Sequence, residues 1–121
     1  APGTRSALEA RIRTMIEVFR YQTTEGHQPV TDWLNSLRDK SLQARLRLRM
    51  NRLEAGNFGD CEPVGDGVLE LRSHFGAGYR VYLGRHGQRV VILLCGGDKS
   101  TQKRDIVTAQ NYWADWKRRQ T

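Results

Sequence analysis

The sequence is poor in the residues that staple small secreted proteins or ligate metals. It has only two cysteines, Cys61 and Cys95, and they lack CxxC spacing. Cys95 lies inside an apolar run and reads as a small core residue. A disulfide framework is therefore excluded, and a cytoplasmic setting is expected. The three histidines, His27, His74 and His86, are scattered, and no Cys/His cluster has zinc-ligand spacing, so no metal or other cofactor is expected. No stretch approaches the ~20 apolar residues of a membrane span. The segment 1–14, "APGTRSALEARIRT", lacks a signal-peptide apolar core. Acids are also scarce: 13 Asp plus Glu stand against 20 Lys plus Arg, giving a formal net charge of +7 and a sequence pI near 10.0. That balance points to a polyanionic partner, nucleic acid before membrane.

What is present fits one small domain over residues 15–121, within the usual size of a single core. Segment 1–14 differs in character and reads as an N-terminal extension or tag remnant ahead of Met15, a natural start; a genuine extra helix through Leu8 and Ile12 fits the letters equally well. "MIEVFRYQ" (Met15 to Gln22) is β-branched and aromatic, a first strand. Asp32 to Asp39 forms a short helix with Trp33, Leu34 and Leu37 on its apolar side. In "SLQARLRLRMNRLEAGN", Leu42, Leu46, Met50 and Leu53 recur at helical spacing. Gly56 is the expected C-cap. Arg45, Arg47, Arg49 and Arg52 flank that stripe, either as a solvated face or as a polyanion-binding field. "FGDCEPVGDG" reads as a loop.

Three strands follow. "VLELRSH" and "GYRVYLGR" alternate, whereas "RVVILLC" is continuously apolar, as a strand covered on both faces would be. Hairpin-sized links make them an antiparallel meander. A last helix runs from about Gln102 to Arg119, with Ile106, Ala109, Trp113 and Trp116 as its core stripe. The expected fold is α+β: a small, mainly antiparallel sheet, order β-α-α-β-β-β-α, with the helices packed on one face.

Alternation places candidate chemistry on the sheet. If Arg72 pairs with Arg80, then Glu70 faces Tyr82, and all four project from one face. Opposed arginines repel unless an anion lies between them, either a ligand or Glu70 itself. The following strand ends in "CGGDKSTQKRD". Gly96 and Gly97 would let backbone amides approach a ligand. Lys99, Lys103 and Arg104 stand at a helix N-terminus, where cations oppose the helix dipole and a bound phosphate would offset the cost. Ser100 and Gln102 add polar contacts there.

With "VLELR", "GYRVYLGR" and above all "VVILLCGGDKSTQKRDIVTA" in this order, the chain from Met15 to Gln120 resembles the RelE/HigB superfamily of toxin–antitoxin toxins, nearest to its phage-derived, addiction-module branch. The resemblance implies a compact, metal-independent endoribonuclease that cuts mRNA on the ribosome. A small antitoxin, often of helix-turn-helix type, would neutralise it. The RNA 2′-hydroxyl would attack the adjacent phosphorus as the 5′-oxygen leaves. This chemistry needs a base, an acid and cations for the charge that builds on phosphate. By motif, Arg80, Arg72 and Lys99 fall at cationic positions of the family, with Glu70, His74 and Lys99 as rival bases. Arg45, Arg47, Arg49, Arg52, Tyr82, Ser100, Gln102, Lys103 and Arg104 would contact RNA or its phosphates. Two other readings share the basic surface: a ParE-like gyrase poison and a non-catalytic nucleic-acid-binding module. Tyr112 reads as a half-buried packing residue.

Overall fold

A computed structural model describes residues 6–10 and 15–120. The expected N-terminal extension lies largely outside the described residues; within it, residues 6–10 are helical and exposed. The elements are β1 (Glu17–Arg20), α1 (Pro29–Ser36), α2 (Lys40–Asn51), β2 (Cys61–Pro63), β3 (Val68–Arg72), β4 (Arg80–His86), β5 (Val90–Gly97) and α3 (Gln102–Arg119). Short 3-10 turns extend α2 over Arg52–Ala55 and precede α3 over Lys99–Thr101. The five strands form one sheet in the order β1-β5-β4-β3-β2. All neighbours are antiparallel except β1, which lies parallel to β5. This is the expected α+β class with a mainly antiparallel sheet.

Two details differ. The strand β2 falls inside the segment read as a loop. It is short, contains Pro63 and pairs only with β3 at the sheet edge, where a residue without an N–H is tolerated. The helices also cover both faces of the sheet rather than one. Val30, Leu34, Leu46 and Met50 from α1 and α2 bury Leu71, Val81, Leu83, Val91 and Leu93 on one side. Ala109 and Trp113 of α3 bury Val68, Tyr82, Ile92 and Leu94 on the other. This arrangement explains the unbroken apolar run of β5, which has no solvent face.

Local chemistry sets the element ends. Pro29 opens α1 three residues earlier than Asp32, because its fixed φ suits the first helical turn. Asp39 caps α2, its carboxylate accepting from the Ser41 and Leu42 amides. Gly56 ends the following turn at φ 79°, the left-handed conformation that favours glycine. Near the end of β5 the ladder is irregular: Tyr82 faces Cys95 but Leu83 faces Leu93, so Leu94 is an extra residue. Such a bulge resets the alternation beyond it. Leu94 and Cys95 both turn toward α3, and the end of β5 is re-aimed over the sheet.

Candidate active site

The register of β3 and β4 sets Arg72 opposite Arg80 and Glu70 opposite Tyr82. Glu70 is fully buried. Its Oε1 accepts from Arg72 Nε at 2.8 Å and from Arg80 Nη1 at 2.9 Å. Its Oε2 accepts from the Tyr82 hydroxyl at 3.0 Å and from Gln102 Nε2 at 3.0 Å. The anion between the two arginines is therefore the protein's own carboxylate. Burial opposes ionisation of Glu70, but bonds from Arg72, Gln102 and Tyr82 and the charge of Arg80 outweigh it, holding its carboxyl below the ordinary range. Tyr82 is itself fully buried, out of reach of a surface ligand, and burial followed by the Glu70 charge pushes its phenol well up.

Above this carboxylate lies an open groove of about 440 Å³, walled by Arg72, Ser73, His74, the glycine-rich turn 76–78, Arg80 and Lys99. The structure thus brings Arg72, Arg80, His74 and Lys99 around one space. The turn holds the far wall: Ser73 N–H donates to the Tyr79 carbonyl, and Lys99 N–H donates to the Ala77 carbonyl. The side chain of Lys99 is exposed and makes no ion pair among the described residues. Arg80 is mostly buried, and its Nε has no hydrogen-bond partner among the described residues. Arg72 is more open and also pairs with Glu62 at 3.0 Å. His74 stands exposed at the rim with Nε2 2.5 Å from Asp60 Oδ2.

A second hollow, of about 370 Å³, adjoins through Lys99 and runs over Ser100, Thr101, Gln102, Lys103 and Arg104. The cations at this helix end are not without counter-charge. Asp98 caps the 3-10 turn through the Ser100 amide and hydroxyl, and bonds from Ser100 hold its carboxyl below the usual range. Asp105 sits in the first turn of α3, almost buried, and accepts from the Thr101 hydroxyl. Gly96 and Gly97 also have a packing role. A Cβ on Gly96 would collide with the Trp33 ring, and one on Gly97 with the Asp105 carboxylate. Their bareness admits α1 and α3 to the sheet, not ligand amides.

The arginines of α2 divide. Arg49 is half-buried and spends its guanidinium on three backbone carbonyls, those of Arg72, Phe58 and Asp60. Arg45 lies over the Phe75 ring, 4.4 Å from its centroid, beside the turn that walls the groove. Arg47 bonds Gln43 and Asn35, and Arg52 is exposed. Tyr112 stacks on Tyr21 at 4.7 Å, away from the groove. Burial raises the Cys95 thiol to about 12, leaving it an inert core group.

Asp60, Glu62 and Asp105 were not singled out by sequence pattern. The first two lie in the segment read as a loop; placing β2 beside β3 is what brings them to Arg72 and His74. Among the described residues, no three His, Cys, Asp or Glu side chains converge as metal ligands would, and no helix is long and apolar enough to cross a membrane.

Comparison with known proteins places the chain in a wider group. A protein of Haemophilus influenzae, described only as uncharacterized, is 51% identical over 78 residues, covering 64% of this chain and 79% of that protein. A family model, phage-derived protein Gp49-like (DUF891), matches residues 32–113, the span from within α1 to Trp113 that carries every groove residue. The chain belongs to this Gp49-like family, a family associated with RelE-like toxins of toxin–antitoxin systems.

Proposed function

We propose that this protein is the toxin of a toxin–antitoxin pair and acts as a metal-independent endoribonuclease on ribosome-bound mRNA. The reading rests on one observation above all: Arg72, Arg80 and Lys99 wall a single open groove that, among the described residues, no carboxylate lines. A scissile phosphate seated there gathers charge as the 2′-oxygen attacks, and fixed cations stabilise that charge without reorganising. Glu70 holds the two arginines side by side from below. One Glu70 oxygen is shared between the two arginines and Glu62 pairs with Arg72, so the guanidinium faces are fixed in place. Lys99 adds a third cation from the end of β5, and Lys103 and Arg104 continue the field along the path of a strand. A cognate antitoxin of the small helix-turn-helix type would silence the protein by covering this surface.

Expression of the chain alone in bacteria should arrest growth with mRNA cleavage, and the purified protein should cleave ribosome-bound mRNA in a single turnover. Arg80→Ala should slow that step by about 10²–10³ while circular dichroism stays native, since it removes one preorganised donor. Arg80→Lys should restore only part, because an ammonium cannot copy the planar fork. DNA damage with intact mRNA would replace this reading with the gyrase poison. Near wild-type cleavage by a folded Arg80→Ala protein would remove the groove as the site.

A further inference from the structure

We propose that Asp60 and His74 form the proton-transfer pair of this groove, with His74 as the base that takes the 2′-hydroxyl proton and Asp60 as its positioning residue. The proposal rests on the nuclease reading above and goes beyond it by naming the base. Three other groups compete for the role. Glu70 is fully buried with both oxygens engaged by four donors. Tyr82 is fully buried and bonded to Glu70. Lys99 is exposed, with no side-chain ion-pair partner among the described residues. His74 alone combines a place on the groove wall with a carboxylate holding its ring.

The geometry fixes the tautomer. An ionised Asp60 can only accept, so beside it the proton of a neutral imidazole sits on Nε2, 2.5 Å from Asp60 Oδ2. The lone pair is then on Nδ1, the nitrogen left to accept a proton. Asp60 is itself well placed. Its backbone carbonyl accepts from the Arg72 amide at 2.9 Å and from Arg49 Nη2 at 3.0 Å, which ties it to the end of β3 beside His74. Asp60 before β2 is the charged group on the ring itself; the groove beside it is lined by Arg72 on β3, which also pairs with Glu62 of β2, by Arg80 on β4 and by Lys99 after β5.

The step balances without a further reagent. His74 Nδ1 takes the 2′-hydroxyl proton, and the 2′-oxygen bonds to phosphorus as the P–O5′ bond breaks. The products are a 2′,3′-cyclic phosphate and a 5′-hydroxyl whose proton comes from water. His74 returns its proton to solvent.

The test is single-turnover cleavage of mRNA on saturating ribosomes, with folding checked by circular dichroism. His74→Ala should lose about 10²–10⁴ in rate with unchanged ribosome affinity, the usual worth of a positioned base. Asp60→Asn should slow wild-type cleavage by about tenfold or more yet add nothing in the His74→Ala background, because Asp60 acts through the ring. A substrate with sulfur at the 5′ leaving position needs no proton to depart, and it should not restore His74→Ala. His86→Ala should cleave normally; that ring lies at the opposite end of β4 from Arg80 and packs on Trp116. A folded His74→Ala protein with wild-type rate, rescue by the sulfur substrate, or further slowing by Asp60→Asn on top of His74→Ala would each overturn the proposal. Failure of the wild-type protein to cleave at all would instead reject the nuclease reading, and this pair with it.

Discussion

Four donors on two oxygens make Glu70 the residue on which the groove is built. Without it, Arg72 and Arg80 would face each other across β3 and β4 with no charge between them. Removing one member of a buried ion pair leaves the other uncompensated, which costs about 3–5 kcal/mol. Glu70→Ala should therefore lower thermal stability by that order, and the loss of cleavage should follow the loss of fold. The acid dependence has a defined sign. The folded-state carboxyl of Glu70 is depressed, so it contributes stability above its unfolded value of about 4.3. That contribution disappears as pH falls through the lower, folded-state value. Thermal melts should show stability dropping below about pH 4, and Glu70→Gln should lack this component of the acid loss.

Among the elements, α2 has two different edges. Sequence periodicity sets Arg45, Arg49 and Arg52 on one flank of the apolar stripe and Arg47 on the other, but Arg49 reaches three carbonyls of the segments that carry Asp60 and Arg72. A hydrogen bond to a charged group is worth about 1.5–3 kcal/mol, and solvent around the half-buried Arg49 discounts the three so that they do not add in full. Arg49→Ala should thus appear first as a stability defect of about 2–4 kcal/mol in a thermal melt, and its effect on RNA binding should not depend on salt. At the other end of the groove, the bulge at Leu94 and the bare Gly96 and Gly97 let β5 deliver Lys99 while α1 and α3 close on both faces. The cations beyond it coexist with a helix N-terminus because Asp98 and Asp105 supply the negative charge that such an end prefers.

For the whole molecule, the net charge of +7 sets how a polyanion arrives. Each phosphate contact that releases a counterion steepens the salt dependence of binding, by about 0.7 in log–log slope for a single strand. Arg45, Arg47, Arg52 and Lys103 are exposed. Replacing any one of them with Ala should weaken RNA or ribosome binding modestly and flatten that slope, with the single-turnover rate at saturation unchanged. A binding titration at several salt concentrations checks this. A collapse of the saturated rate would move that residue into the chemical step.

Several features were legible because they depend on neighbours along the chain. The α3 limits, Gln102–Arg119, follow from 3.6-residue periodicity. The Glu70–Tyr82 pairing follows once Arg72 is set opposite Arg80, because antiparallel register keeps the sum of positions constant. The cationic set of Arg72, Arg80 and Lys99 could be named from strand alternation and motif. Tertiary structure decided what depends on partners distant in sequence. The pairing of β2 with β3 brought Asp60 to His74 across 14 positions. Gln102 reached Glu70 from the far end of the chain, across 32 positions. The side of the sheet that each helix covers was also decided there. Periodicity reports that a face is apolar but not what covers it, and a carboxylate's role depends on which donors the fold carries to it. For that reason Glu70, readable from sequence as a rival base, became the buried anion that holds the arginines.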